Sequence, residues 1–133
     1  MPKKPRKKRR KKGHYHRGVY NSPIAGECKY RSGWEQKYME YLDSNPEVLK
    51  WSYEKVIIEY VSNQKTKKIR KYYPDFEVEY VDGKKTIIEI KPTKKLQQST
   101  IIKKIKAAQE WCEARQIVYK IITEIELKDM GLL

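Results

Sequence analysis

The sequence contains few of the residues that build disulfide scaffolds or imidazole metal sites, with two cysteines and two histidines among 133 residues. A domain of this length buries enough surface to fold without disulfides, so we expect Cys28 and Cys112 to be reduced thiols. His14 and His16 have no third or fourth ligand nearby, which favours a surface pair over a metal site. No apolar run is long enough to cross a bilayer and no signal segment opens the chain, which predicts an intracellular protein without a membrane span.

Acidic residues are also scarce, with 17 Asp or Glu against 31 Lys or Arg and a net charge of +14. Nine of the basic residues fall within positions 3–12, and because such a block repels itself, residues 1–16 are predicted to be a disordered basic tail. Nucleic acid is favoured as its partner over an acidic membrane surface or protein patch, while a solubilising tail and a nuclear-import signal are further interpretations. The candidate DNA-binding residues of the tail are Lys7, Lys8, Arg9, Arg10, Lys11 and Lys12.

The remaining residues, 17–133, have the length of one small domain, and residues up to 31 form a turn-rich arm that leads into it. Hydrophobic periodicity and turn signals predict helices over 32–42 and 100–115, strands over 56–61, 69–80, 85–91 and 117–122, and a short C-terminal helix. The order αβββαβ predicts an α/β fold, a sheet with helices packed on it whose last two strands are parallel and joined by a right-handed crossover. The core-facing stripe of the second helix is predicted to be Ile101, Ile102, Ile105, Ala108, Trp111 and Cys112.

An Asp-Gly turn joins the second and third predicted strands, and its loop length determines which side chains face each other. A two-residue loop would place Phe76 opposite Glu89, whereas a three-residue loop over 81–83 places Phe76 opposite Ile88. The second register pairs apolar with apolar residues and opposite charges with each other, and is therefore preferred. It leaves one mismatch, because Asp75 then faces Glu89 across about 5 Å of backbone.

A metal ion would resolve this repulsion between two carboxylates. Strand alternation places Lys91 on the face of Glu89, so an Asp, a Glu and a Lys converge at one end of the hairpin. Mg²⁺ takes one or two carboxylates, and a nearby ammonium can align a water or hold phosphate charge. The alternative for Glu89 and Lys91 is a solvated surface salt bridge. Glu35, three residues after the predicted helix cap Ser32, is either a third acidic site residue or a capping-box glutamate.

The motif Pro74-Asp75, thirteen residues, then Glu89-Ile90-Lys91, behind an R-S-x-x-E helix start at residues 31–35, resembles the PD-(D/E)XK nuclease superfamily. Over about residues 17–124, the segments YRSGWEQKYMEYLDSNPEVLKWSYE, RKYYPDF, IEIKP, KAAQEWCEAR and IITE are most similar to short head-completion nucleases of tailed phages. The skeleton also resembles the end-cleaving nuclease subunit of heteromeric transposons, and pieces resemble a phage junction-resolving endonuclease. The resemblance implies a restriction-endonuclease-like core, a mixed sheet flanked by helices, and a metal-dependent DNA endonuclease encoded by a phage or mobile element.

By position, the resemblance implies that Asp75, Glu89 and the carbonyl of Ile90 hold Mg²⁺, with Mn²⁺ as a substitute. Lys91 is then the catalytic lysine, and Glu35 assists this metal or a second one. Arg31, at the helix start, joins the tail as a DNA-binding residue. Such a nuclease is expected in the host cytoplasm or with the virion.

The expected partners are DNA, a second copy of the chain if both strands are cut, and phage head or transposition proteins. The transposon subunit carries a further C-terminal domain, so that interpretation predicts a partner protein. A non-catalytic DNA-binding or virion assembly protein that keeps the nuclease fold is the alternative function, and an RNA-binding protein is a third, supported by charge alone.

Overall fold

The fold is described for residues 16–133 from a computed structural model, and the tail residues Lys7 to Lys12 lie outside this range. The helices are α1 (Gly33–Ser44), α2 (Ser99–Ala114) and α3 (Glu124–Asp129). The strands are β1 (Gly18–Ser22), β2 (Gly26–Tyr30), β3 (Val48–Tyr53), β4 (Ile58–Asn63), β5 (Lys68–Tyr72), β6 (Phe76–Tyr80), β7 (Lys85–Ile90) and β8 (Val118–Ile122). None of the described helices is long and apolar enough to cross a membrane.

A mixed four-stranded sheet, in the order β3-β6-β7-β8, forms the centre of the fold. β7 and β8 are parallel and the other neighbours antiparallel, so the predicted α/β class and the parallel pairing are confirmed. The three-residue loop is confirmed as well, because Phe76 lies opposite Ile88 and Glu79 opposite Lys85. Gly83 adopts a φ of +90°, the left-handed conformation that such a loop requires.

The strand predicted over 69–80 is wrong as a single element. β5 ends at Tyr72 and β6 begins at Phe76, and the two strands belong to different sheets. Pro74 separates them because it has no N–H to donate and restricts the residue before it. β4 and β5 pair only with each other, so the strand predicted over 56–61 lies outside the central sheet.

β3, which the sequence does not predict, occupies the edge of the central sheet beside β6. A register shift between Val48 and Lys50 interrupts the alternation of buried and exposed side chains in β3. The sequence of this strand therefore lacks the two-residue hydrophobic period that predicts a strand. The arm also differs from its prediction, since β1 and β2 form a hairpin beside α1. Asp43 of α1 anchors this hairpin, because its carboxylate accepts hydrogen bonds from three side chains, those of Tyr20, Ser22 and Trp51.

Two apolar clusters cover the two faces of the central sheet. The larger one, built around Phe76 and Met39, lies between the sheet and α1. The smaller one joins Tyr72 and Ile58 of the β4–β5 hairpin to Ala108 of α2. Of the predicted α2 stripe, Ala108 and Cys112 are buried, but Ile102 is 49% exposed and does not belong to it.

Both cysteines are free, as predicted, and both are buried. Burial raises the pKa of Cys112 to about 11, so its thiol is protonated at neutral pH.

Candidate active site

Asp75 and Glu89 come together at the end of the central sheet away from the Gly83 turn. Asp75 directly precedes β6, and Glu89 is the second-last residue of β7. The backbone N–H of Asp75 donates to Oε1 of Glu89 at 3.3 Å, and the backbone N–H of Ile90 donates to Oδ2 of Asp75 at 2.8 Å. Each carboxylate therefore bonds to the other strand, which fixes the pair across the hairpin.

The Asp75 carboxyl is in an unfavourable position for a charge. The residue is 6% exposed, and among residues 16–133 no donor bonds to Oδ1, its second oxygen. Burial, the charge of Glu89 and the charge of Glu35 raise the pKa of Asp75 well above its usual range. This buried oxygen without a hydrogen-bond partner is the kind of atom that a cation would satisfy.

Glu89 has better partners than Asp75. Its Oε1 also accepts from the hydroxyl of Tyr72 at 2.7 Å, and its Oε2 lies 3.4 Å from Nζ of Lys91. Burial raises the pKa of Glu89, while Lys91 and the Tyr72 hydrogen bond oppose that rise. Tyr72 and Lys91 are thus the side chains that contact this carboxylate, and the Tyr72 hydroxyl in turn lies 3.0 Å from that of Tyr119.

Glu35 lies near the pair but is occupied by its own helix terminus. The hydroxyl of Ser32 accepts from the backbone N–H of Glu35 at 3.1 Å, which confirms the predicted cap. Oε1 of Glu35 accepts from the backbone N–H of Arg31 at 2.8 Å and from the hydroxyl of Tyr53 at 2.7 Å. The guanidinium of Arg31 pairs with Glu54. Ser32 is thus the cap, but the reciprocal bond of a capping box is not formed, because Glu35 accepts from Arg31 instead of Ser32. The charge of Glu35 acts on Asp75 from beside the site.

The donor set suits a cation that takes few protein ligands. Within residues 16–133, no three His, Cys, Asp or Glu side chains come close enough together to hold one ion. Asp75 and Glu89 are the two carboxylates that the structure brings together here, and the backbone N–H of Ile90 adjoins them. Mg²⁺ accepts such a set because it keeps several waters, whereas a closed structural zinc site needs four ligands.

A small cavity opens beside Glu89 and Lys91 and runs between β8 and the first half of α2. Tyr72 and Lys104 line it, and Nζ of Lys104 lies 5.7 Å from the centre of the Tyr72 ring. From the sequence, Tyr53 and Tyr72 are interpreted as core residues in preference to residues that stack on nucleic acid, and Tyr119 gives no site prediction. The signal for Tyr119 was its place in β8, because the parallel register puts it on the face of Glu89.

Comparison with known proteins identifies two groups of relatives. The family described as "TnsA-like endonuclease N terminal" matches residues 45–124, a range that includes Asp75, Glu89 and Lys91 but not Glu35. The chain is also 35% identical over 124 residues to the "Head completion nuclease" of Enterobacteria phage T4, covering 77% of this chain and 82% of that protein. Both groups were named by the resemblance in the sequence, and both are PD-(D/E)XK nucleases. The chain belongs to the TnsA-like endonuclease N-terminal family.

Proposed function

We propose that the protein is a Mg²⁺-dependent DNA endonuclease of a phage or mobile element, and that Asp75 and Glu89 hold the metal. The observation that carries the proposal is the pair of buried carboxylates itself. One oxygen of Asp75 has no hydrogen-bond donor within the described residues. A structural role would be served better by one acid and one base, since like charges in close contact destabilise the fold. The nuclease relatives support the same chemistry.

The residues around the pair divide the work of phosphodiester hydrolysis. Bound Mg²⁺ would supply positive charge to the phosphate and lower the pKa of a water. Tyr72 orients Glu89 through its hydroxyl, and Tyr119 contacts that hydroxyl from the other side. The ammonium of Lys91 lies beside Glu89 and places a donor where the phosphate gains negative charge as water attacks and the P–O bond breaks. Glu35, in the first turn of α1, adds negative charge beside the pair and would favour cation binding there.

The direct test incubates the full chain with supercoiled plasmid, linear duplex and branched DNA in Mg²⁺, Mn²⁺ or EDTA. We expect cleavage in either metal and none in EDTA. Asp75→Asn should abolish cleavage, because the amide keeps the Ile90 hydrogen bond and removes the charge that holds the metal. Asp82→Asn is the matched control, since Asp82 is an exposed turn aspartate at the opposite end of the hairpin.

Two results would contradict the proposal. Equal activity of the wild type and Asp75→Asn would mean that the activity does not come from this site. A wild type that is inert on every substrate in both metals, but still binds DNA, would favour the non-catalytic DNA-binding or virion assembly protein.

The proposal extends to the partners. Cleavage of both strands by one site per chain favours a homodimer, and a linear product from plasmid without a nicked intermediate would support it. Phage head proteins or a transposase are the proposed protein partners, following the two groups of relatives. The basic tail is proposed to bind DNA through its lysines and arginines, and deletion of residues 1–12 should flatten the dependence of affinity on salt.

A further inference from the structure

A groove lies between the β4–β5 hairpin and the first half of α2, and we call it the hairpin groove. It is lined mainly by Tyr60, Ser62, Lys68, Arg70, Lys103 and Lys104. Four of these six residues carry a positive charge and none carries a negative one. Neither Asp75 nor Glu89 lines the groove, so it is a surface separate from the proposed metal site.

The cations of the hairpin groove have no acidic partners within residues 16–133. The ion pairs found there join Arg31 to Glu54, Lys50 to Glu79 and Lys91 to Glu89, all outside the groove. Lys103 donates to the backbone carbonyl of Ser62 at 2.8 Å, which leaves its charge uncompensated. A face that only solvates the protein usually mixes both signs, whereas this one concentrates like charges that repel each other. A polyanion would relieve that repulsion.

The basic residues of the hairpin groove continue to the candidate active site. Strand alternation places Lys68, Arg70 and Tyr72 on one face of β5, and the Tyr72 hydroxyl bonds to Glu89 at 2.7 Å. Lys104 lines both the hairpin groove and the cavity beside Glu89, so it connects the two. Four residues of strand span about 13 Å, which corresponds to roughly four nucleotides of one DNA strand.

We propose that the hairpin groove binds the sugar-phosphate backbone of a DNA strand and guides it to the Glu89 and Lys91 end of the sheet. The inference rests on the proposed function for its substrate, and it adds where that substrate lies. Lysine and arginine ammonium and guanidinium groups match phosphate oxygens, and Ser62 and Asn63 add neutral polar groups at the rim. No exposed aromatic side chain lines the groove in the described chain, so contacts to the backbone rather than stacking on bases are expected.

The test measures binding without cleavage. The full chain is titrated into fluorescently labelled duplex DNA in EDTA at several salt concentrations. The variant is Lys68→Gln/Arg70→Gln, and the control is Lys84→Gln/Lys85→Gln, which removes the same charge from exposed residues at the opposite end of the β6–β7 hairpin. We expect affinity to fall roughly tenfold or more for the groove variant, with a slope of log affinity against log salt smaller by about 1.8. The control should differ from the wild type by much less.

The outcomes separate this inference from the proposed function. Equal losses in the groove variant and its control, or no loss in either, would overturn the groove while leaving Mg²⁺-dependent cleavage intact. A groove-specific loss of binding in a protein that never cleaves DNA would support the groove and refute the nuclease. Tighter, groove-dependent binding to an RNA duplex of the same sequence would overturn the assignment to DNA.

Thermal unfolding checks that the variants fold, because substitutions of exposed side chains should leave the Tm close to that of the wild type. If the double variant unfolds, the same binding measurement is made with the single substitution Arg70→Gln. It should reduce the slope by about 0.9.

Discussion

Asp75 should lower the stability of the metal-free protein at neutral pH, and Asp75→Asn should remove that cost. Burial and the charges of Glu89 and Glu35 raise the pKa of this carboxyl. Since its folded pKa lies above that of the unfolded chain, about 3.9, Asp75 contributes stability that is fully present below the unfolded pKa. That contribution is lost as pH rises through the folded pKa. The variant has no such loss, so the difference between the proteins should grow from acid to neutral pH.

The size of the effect follows from the contacts. Asparagine can accept the 2.8 Å hydrogen bond from Ile90 in place of Oδ2, so the substitution removes a charge without creating a cavity or breaking that bond. Replacing poorly compensated buried charge by a neutral group of the same shape stabilises by about 1 to 4 kcal/mol. For a domain of this size, each 1 kcal/mol raises Tm by roughly 4 °C.

The assay is thermal unfolding of wild type, Asp75→Asn and the control Asp82→Asn between pH 5 and pH 8, in EDTA and in Mg²⁺. In EDTA the Tm of Asp75→Asn should exceed that of the wild type, most clearly at pH 8. Added Mg²⁺ should raise the Tm of the wild type but not that of Asp75→Asn. At a Mg²⁺ concentration of 100 times Kd, the free energy of unfolding of the wild type should rise by about 2.7 kcal/mol. If Asp75→Asn is less stable than the wild type at pH 8, the carboxyl is satisfied by contacts within the protein and the metal proposal loses its main support.

Three further substitutions test other parts of the structure. Lys91→Gln should fold normally and lower the cleavage rate by about 100-fold or more, measured as single-turnover cleavage, and a wild-type rate would exclude Lys91 from the chemistry. Tyr72→Phe frees Oε1 of Glu89 from its hydroxyl donor and should cost about 1 kcal/mol in denaturant unfolding, together with a lower kcat at little changed KM. An equal kcat would make Tyr72 purely structural. Asp43→Ala leaves three side-chain donors without their acceptor and should destabilise the fold by about 3 kcal/mol, whereas no change in urea midpoint would refute the anchoring of the β1–β2 hairpin.

The β6–β7 hairpin could be predicted from the sequence because local rules determine it. The loop length at Gly83 and the pairing of Phe76 with Ile88 depend on residues within about one hairpin of each other. Once that register is known, Asp75 must approach Glu89, and Lys91 must share the face of Glu89. The Ser32 cap at α1 is equally local.

The other parts of the fold and of the candidate site could not be predicted, because they depend on contacts between residues far apart in sequence. Tyr72 reaches Glu89 only because Pro74 turns β5 out of the central sheet, and no local pattern distinguishes this from one interrupted strand. β3 could not be predicted because the register shift between Val48 and Lys50 interrupts its hydrophobic period. The β1–β2 hairpin is held by polar contacts to Asp43 of α1, which hydrophobic periodicity does not report.

The β4–β5 hairpin is joined to the site at its Tyr72 end, whereas its far end pairs with no strand of the central sheet in the described chain. Its chain enters after β3 and returns through Pro74 directly to Asp75, so its far end can change length without altering the register between β6 and β7. Insertions at the exposed turn over residues 64–67 would lengthen this hairpin. If the hairpin groove binds DNA as proposed, variation in this one surface loop would adapt the protein to substrates of different shape while the Asp75 and Glu89 pair stays in place.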